Sequence, residues 1–268
     1  MPNKLLTIDI GGKRPYELEI THHDLPLRGL PSAWQGRLCV QLTDLHAGCG
    51  NIEPVHERMV QEVEALQPDL ILYTGDYIDR RTSRPAKEFT ILEVMRATKA
   101  PFGKFGVFGN HDHYRGIVGT SRLLEQADVR PLLNENIVLP DGLHLAGIDD
   151  IRTGSPHITQ ALANIPLNSS SLILTHNPTL FDHLPNQDLV VFAGHTHGGQ
   201  IVPPFIPASW IVRIRLGCRF VSGWYERGKS RMYVSRGIGV TRTPMRYNCP
   251  AEIAVFRLVN ADSEEGKR

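Results

Sequence analysis

The chain is predicted to fold as a layered α/β domain, and three features of its sequence lead to that prediction. Short apolar runs alternate along the chain with segments of helical periodicity. The runs are apolar on both faces, as in strands that are covered on both sides. Five of them end in a motif that carries a carboxylate, an imidazole or an amide. Loops at the carboxyl ends of strands are where open α/β sheets bind ligands, so these motifs are expected to share one site.

The strands are predicted from these runs and from the turn residues between them. Two short strands, 5–10 and 16–21, are joined by a turn around Gly11 and Gly12. A connection rich in Pro and Gly, 26–36, leads into the first core strand. The core strands are expected at 37–43, 69–74, 104–108, 171–175 and 188–193. Further β-structure is expected in the later runs YVSRG and EIAVFRL.

Two helices are predicted between the early strands. In the segment 51–67 apolar residues recur every three or four positions, Asn51 can cap the start, and Pro54 suits the first turn. A second helix is expected at 86–98. No repeat or long linker divides the chain, so residues 37–259 are predicted to form the main domain. Residues 1–36 are expected to pack on it, and the polar residues 260–268 are expected to form a flexible tail.

Composition argues against some classes of protein. Lys and Arg number 29 against 28 Asp and Glu, so no basic excess indicates nucleic acid as the main partner, although a local patch could lie within this total. The four cysteines are scattered and are expected to be free thiols in a reducing compartment. The sequence has no secretory signal pattern and no apolar run of about 18 residues. A cytoplasmic location is expected, and peripheral membrane contact stays open.

The five motifs provide the candidate functional residues. They are TDLH (43–46), TGD (74–76), FGNHD (108–112), THN (175–177) and AGHTH (193–197). Asp44 and Asp76 would repel each other if both were buried without a cation. Mn²⁺, Fe²⁺ and Zn²⁺ accept mixed carboxylate and imidazole ligands, and two such ions activate a shared water. Two divalent ions carry four positive charges, and two carboxylates with a bridging hydroxide neutralise three of them. The one positive charge that is left suits an anionic phosphoryl group.

These motifs resemble those of the calcineurin-like metallophosphoesterase superfamily: D-x-H, GD-x-x-D, GNH[D/E], a single His and GH-x-H. Here they run in the same order from residue 44 to residue 197. The resemblance implies a four-layer αββα sandwich that binds two divalent metal ions. It implies that one ion is bound by Asp44, His46, Asp76 and His197. The other ion would share Asp76 and take Asn110, His176 and His195.

The resemblance also implies a role for two residues that do not bind metal. His111 would sit over the phosphate as general acid or oxyanion stabiliser, and Asp79 would orient its ring. Other readings remain for nearby residues. Asp79 could cap the following segment, Asp112 is expected to be structural, and Asp149 with Asp150 is expected to form a turn after a strand. His113 and Tyr114 are expected to be loop residues, with lining of the substrate pocket as the alternative.

The surroundings of the motifs indicate a branch of the superfamily. GDYIDR (75–80) resembles the protein phosphatases, but GNHD stands where those enzymes have GNHE. The segments GHTHGGQI (194–201), SRGIG (235–239) and NCPAEIAVFRL (248–258) resemble a bacterial group of phosphodiesterases. That group includes a UDP-2,3-diacylglucosamine pyrophosphatase of lipid A synthesis. A phosphodiesterase or pyrophosphatase is therefore expected, and a phosphomonoesterase, including a protein phosphatase, or a non-catalytic phosphate-binding scaffold is the alternative.

The segment 201–217 bears on the substrate. It is mostly apolar, contains three prolines, and follows directly on two predicted metal ligands. One interpretation is a buried or packed loop. The other is an apolar lip that receives a lipid-linked phosphodiester or rests on a membrane surface, since Trp and Arg together suit a lipid–water boundary.

Overall fold

Two β-sheets lie at the centre of the computed structural model, which describes residues 2–11, 16–82, 85–167 and 170–262. The strands within these ranges are β1 Lys4–Ile8, β2 Tyr16–Leu27, β3 Leu38–Leu42, β4 Leu70–Tyr73, β5 Lys104–Gly106, β6 Val129–Pro131, β7 Glu135–Val138, β8 His144–Gly147, β9 Ser171–Leu174, β10 Leu189–Ala193, β11 Gly223–Arg227, β12 Ser230–Val234 and β13 Ala251–Asn260. The helices are α1 Glu53–Leu66, α2 Pro85–Ala97, α3 Asn110–Arg115, α4 Ile117–Gln126, α5 Ile158–Ala161 and α6 Ala208–Leu216.

The strand order sets which loops meet. One sheet has the order β1-β2-β13-β3-β4-β5-β6, and the other has the order β11-β12-β10-β9-β8-β7. Strands β3 to β6 run parallel to one another, and so do β8, β9, β10 and β12. Parallel neighbours end at the same sheet edge, so the loops after β3, β4, β9 and β10 can contribute side chains to one place.

Three apolar clusters show that the fold has four layers. The middle cluster lies between the sheets and includes Leu72 and Phe256 from one sheet and Leu174 from the other. A second cluster packs α1, α2 and α4 on the outer face of the seven-stranded sheet. A third packs α5 and α6 on the outer face of the six-stranded sheet. The order helix, sheet, sheet, helix confirms the predicted αββα sandwich.

The five predicted core strands are confirmed, because burial on both faces requires the continuous apolar runs from which they were predicted. The second strand is longer than predicted and reaches Leu27, since β2 pairs with β13 along its length. Asn51 does not cap α1. Its side-chain amide donates to the Ile10 carbonyl at 2.7 Å, and Ile52 precedes the first helical residue. Gly12 and residues 263–268 of the predicted tail lie outside the described residues.

The segment 201–217 is partly buried and partly exposed. Val212 in α6 is buried in the outer cluster. Phe205, Ile206, Trp210 and Ile214 are exposed, and Phe205 is fully so. Pro207 precedes α6 rather than interrupting it. In the described part of the chain, no helix has the length and apolar character needed to cross a bilayer.

Candidate metal centre

The motifs at the strand ends bring their side chains into one cluster. Three sets of ligand atoms each lie within 4.8 Å of one another: Asp44, His46 and His197; His46, Asp79 and His111; and Asp76, His176 and His195. Asn110 lines the same cleft as His46, Asp76 and His195. The structure thus brings together every residue that the sequence predicts for the site, and all of these residues are buried.

Left-handed backbone turns place these side chains at the strand ends. Asp44, His46, Asp76, His195 and His197 all have positive φ, between 45° and 72°. Such conformations are uncommon for residues other than Gly and store strain when the surrounding structure imposes them. Five of the seven predicted ligands share this feature, so the fold holds them in place at a cost in stability.

Glycines in the motifs allow the strands to approach closely. A side chain at Gly109 would place its Cβ 2.3 Å from the Asp76 carboxylate, and one at Gly194 would place its Cβ 2.4 Å from that of Asp44. Neither glycine needs an unusual φ. Each is needed because no other residue leaves room for the neighbouring carboxylate.

Asp76 uses its two oxygens differently. Oδ1 accepts a hydrogen bond from the His111 backbone amide at 2.8 Å, which fixes the carboxylate. Oδ2 lies 3.3 Å from His176 Nε2 and 3.5 Å from His46 Nε2. One oxygen therefore lies between imidazoles from two different sheets. This is the position expected of a carboxylate that bridges two cations.

Asp44 repeats the pattern. Its Oδ2 accepts from the His195 backbone amide at 3.0 Å and from Thr43 Oγ1 at 2.9 Å. Its Oδ1 lies 3.3 Å from His197 Nε2 and 3.7 Å from His46 Nε2. One oxygen holds the side chain to the backbone, and the other points into the cluster.

The spacing of the atoms suits cations. Ligand atoms about 2.1 Å from a shared ion lie roughly 3.0–3.4 Å from one another in octahedral or tetrahedral geometry. The distances above and the 3.1 Å between His176 Nε2 and His195 Nδ1 come close to that range. Several buried atoms of the cluster also have no hydrogen-bond partner within the described ranges. They are Asp44 Oδ1, His46 Nδ1, Asp79 Oδ2, Asn110 Oδ1 and His195 Nε2.

The charges of the protein alone leave the cluster short of positive charge. Burial by itself would raise the pKa of Asp76, but His176 keeps that pKa below its usual value. The same pair raises the pKa of His176, against the effect of burial, through attraction to Asp76. Burial and the charge on His176 lower the pKa of His195 to about 3. An imidazolium thus offsets only part of the negative charge of the carboxylates, and bound cations would supply the rest.

The group that holds the His111 ring is a backbone amide, whereas the sequence predicted the Asp79 carboxylate. Its Nδ1 accepts a hydrogen bond from the Arg80 backbone amide at 3.0 Å, whereas Asp79 Oδ2 lies 3.6 Å from that nitrogen. The proton of the neutral ring is therefore on Nε2. Asp79 Oδ2 is also 3.7 Å from His46 Nδ1 and so lies between the two rings. Burial lowers the pKa of His111 to about 4, despite attraction to Asp76.

Two residues that support the site were not predicted from the sequence. The half-buried guanidinium of Arg246 donates to the carbonyls of Arg236 at 2.7 Å, Gly239 at 2.8 Å and His197 at 3.3 Å. It thereby ties a predicted ligand to the SRGIG segment. Gln200, three residues after His197, is buried and holds the loop 241–245 through four hydrogen bonds. The position of Gln200 next to GHTH was a usable signal. Arg246 mainly binds backbone carbonyls, with further contacts to the Tyr16 hydroxyl, Cys249 Sγ and His197 Nδ1. Such contacts leave no pattern in a sequence.

The remaining predictions concern neighbours of the site. Asp112 accepts from the backbone amides of Asp76 and Gly109, both at 2.7 Å, which confirms a structural role. Asp150 accepts from residues 152 and 153, as expected of a turn after a strand. His113 Nε2 lies 2.6 Å from Asp149 Oδ1. Tyr114 lines the cleft, so the alternative of a pocket residue holds for it.

Comparison with known proteins identifies the family. Residues 39–199 match the family model described as calcineurin-like phosphoesterase. The chain is 31% identical over 255 residues to the uncharacterized metallophosphoesterase YkuE of Bacillus subtilis, with 91% of this chain and 86% of YkuE covered. A bovine transmembrane protein with a metallophosphoesterase domain is 29% identical, with 87% of this chain and 55% of the bovine protein covered.

Among solved structures, sulfate thiohydrolase SoxB of Thermus thermophilus aligns with a TM-score of 0.48 at 11% identity, covering 86% of this chain and 57% of SoxB. That likeness adds nothing to the assignment. The assignment to a family rests on the family model and on the similarity to YkuE. Both agree with the order of the motifs and with the clustered carboxylates and imidazoles. The chain belongs to the calcineurin-like phosphoesterase family.

Proposed function

We propose that this protein is a metal-dependent phosphoesterase that hydrolyses a phosphodiester or pyrophosphate bond. The observation that carries the proposal is the position of Asp76 Oδ2, between His46 and His176. One ion would be held by Asp44, His46, Asp76 and His197. The other ion would share Asp76 and would also be held by Asn110, His176 and His195. Two divalent cations there would supply an activated water and neutralise charge on the phosphoryl oxygens.

His111 would act as a hydrogen-bond donor in this reaction. Because its Nδ1 accepts from the Arg80 amide, Nε2 carries the proton of the neutral ring. The ring lines the cleft beside the metal ligands, so that proton can reach a phosphoryl or leaving-group oxygen. Asp79, 3.6 Å from Nδ1, would stabilise partial positive charge that develops on the ring as Nε2 donates. Both roles are compatible with the general acid or oxyanion stabiliser expected for His111.

Two alternatives use the same residues. A phosphomonoesterase would need the same cations, and a phosphate-binding scaffold would need the fold without turnover. Purified protein loaded with Mn²⁺ should be assayed on bis-aryl and mono-aryl phosphates. Faster turnover of the diester supports the proposal, and faster turnover of the monoester supports the phosphomonoesterase. Metal-loaded protein that turns over neither ester, nor a pyrophosphate diester, would leave only the scaffold.

We further propose that the substrate is lipid-linked, like a UDP-diacylglucosamine, and that the protein makes peripheral contact with anionic membranes. Four exposed apolar side chains support this, and we call them the apolar lip: Phe205, Ile206, Trp210 and Ile214. Trp210 and Ile214 lie on α6, and Arg215 and Leu216 of the same helix line the metal cleft. The lip therefore adjoins the place where a headgroup phosphate would be cleaved.

Charge near the lip favours an anionic bilayer as its partner. Residues 189–225 contain no Asp or Glu, whereas Arg213 and Arg215 lie in α6. Exposed aromatic and aliphatic residues beside arginines suit the boundary between acyl chains and phosphates. The bovine relative named as a transmembrane protein gives an independent reason to test membranes, although that name describes only the bovine protein.

The double change Phe205→Ser and Trp210→Ser tests the lip. It should raise KM for UDP-diacylglucosamine, leave a small soluble diester unaffected, and weaken sedimentation with vesicles that contain anionic lipid. Val118 and Val138 are also exposed, and their double change to Ser is a matched control. If the lip variant and the control behave alike, or both substrates suffer equally, the lip does not serve lipid binding.

A further inference from the structure

The cleft over the metal ligands is lined by an unusual number of arginines. They are Arg80, Arg81, Arg152, Arg215 and Arg242. The near neutrality of the whole chain hides this concentration. Residues 189–251 contain nine Lys and Arg but a single acidic residue, Glu226. A cleft lined by one sign of charge attracts and orients ligands of the opposite sign.

Within the described ranges, no ion pair with a carboxylate joins any of these five arginines. Some other arginines of the chain are paired: Arg236 lies 2.6 Å from Glu19, and Arg257 lies 2.7 Å from Asp24. Because no such carboxylate lies beside the arginines of the cleft in the described part of the chain, they are available to an anionic ligand.

Arg215 and Arg242 form the most specific part of this surface, because they come from different elements and meet beside the ligands His195 and His197. Burial and the neighbouring positive charge of Arg242 lower the pKa of Arg215 below its usual value. Two like charges close together destabilise the protein unless an anion lies between them.

The loop that carries Arg242 is held rigidly by a buried residue. Gln200 Oε1 accepts from the Thr241 amide at 2.9 Å, and Gln200 Nε2 donates to the carbonyls of Thr243 at 2.9 Å and Met245 at 3.2 Å. Arg242 itself has a φ of 63°, a conformation that the surroundings must impose. The chain thus uses a residue next to the metal ligands to aim this arginine.

We propose that Arg215 and Arg242 form an anion subsite that binds a second phosphate of the substrate, next to the phosphoryl group that is attacked. The inference rests on the proposed function and narrows it to substrates with two linked phosphates. Paired guanidiniums donate forked hydrogen bonds to phosphate oxygens, so each contributes both charge and geometry. Gln200 is a positioning residue for this subsite.

The test compares two substrates that differ by one phosphate: the p-nitrophenyl esters of thymidine monophosphate and of thymidine diphosphate. The wild-type protein should prefer the diphosphate ester. Arg215→Gln and Arg242→Gln should each lower kcat/KM for it by about tenfold to a hundredfold. The monophosphate ester should be little changed. Higher ionic strength should reduce the preference for the diphosphate ester over the monophosphate ester, since both arginines are partly exposed to solvent.

Arg219→Gln is the matched control, because Arg219 lies close behind the same helix and is exposed but does not line the cleft. Its kinetics should equal those of the wild type. Equal turnover of both esters by the wild type, or equal losses on both esters in the two arginine variants, would overturn the subsite and leave the phosphoesterase intact. If metal-loaded wild type cleaves neither ester, the proposed function itself fails, and the subsite fails with it.

Discussion

Replacing Arg246 by Lys tests whether this guanidinium holds the ligand loop. The side chain donates to the backbone carbonyls of Arg236, Gly237, Gly239 and His197. A lysine ammonium cannot reproduce that planar fork, so about two of these carbonyls lose their donor. At about 1–3 kcal/mol for each unsatisfied buried group, the free energy of unfolding should fall by roughly 2–6 kcal/mol. At about 2–4 °C for each kcal/mol in a chain of this size, Tm should fall by roughly 4–24 °C.

The assay is thermal unfolding of the metal-free protein, followed by titration with Mn²⁺. Because the His197 carbonyl is among the groups that lose a donor, the variant should also bind Mn²⁺ more weakly. Arg257→Lys is the control. Its pair with Asp24 is exposed and screened by solvent, so its loss should change stability little. If Tm of Arg246→Lys stays as close to wild type as that of the control and Mn²⁺ affinity is unchanged, Arg246 does not organise the site.

Three further predictions concern histidines and their partners. His111→Ala should lower turnover by roughly 10²–10⁴ with metal content intact, and esters with good leaving groups should suffer least; loss of metal would contradict the donor role. Asp79→Asn should produce the same pattern more mildly in kinetics on the same series of esters. Burial lowers the pKa of His56 to about 4. The unfolded chain, in which His56 has its ordinary pKa of 6.5, therefore binds more protons between these values, and stability falls as pH drops from about 6.5 to about 4. His56→Gln should make pH-dependent unfolding curves flatter over that interval, and an unchanged slope would refute the contribution.

The sequence was sufficient to predict the strands that are buried along their whole length. Strands covered on both faces leave unbroken apolar runs, so β3, β4, β9 and β10 could be located within a residue or two. The start of α1 was less predictable. Asn51 has the residue type of a cap, but its amide bonds the Ile10 carbonyl, a residue 41 positions away. A contact of that range cannot be inferred from local pattern.

The residues of the site were predictable because the chemistry of a cation demands particular side chains at strand ends. The contacts that hold these residues in place could not be predicted. Whether Asp79 or the Arg80 amide holds His111 depends on the course of the backbone after β4, and the structure favours the amide. The five arginines of the cleft come from four separated places in the chain, and a near-neutral net charge conceals them. Only the folded chain shows that they meet.

We expect the site to hold two metal ions that share Asp76 as a ligand. The most direct measurement is elemental analysis of active protein, with activity measured on the same sample. About two transition-metal ions per chain are expected in the wild type. Asp76→Asn should lose both ions and nearly all activity, whereas Asp44→Asn should mainly weaken one site. Fully active protein that contains one ion or none, or an Asp76→Asn variant that keeps both, would contradict the account.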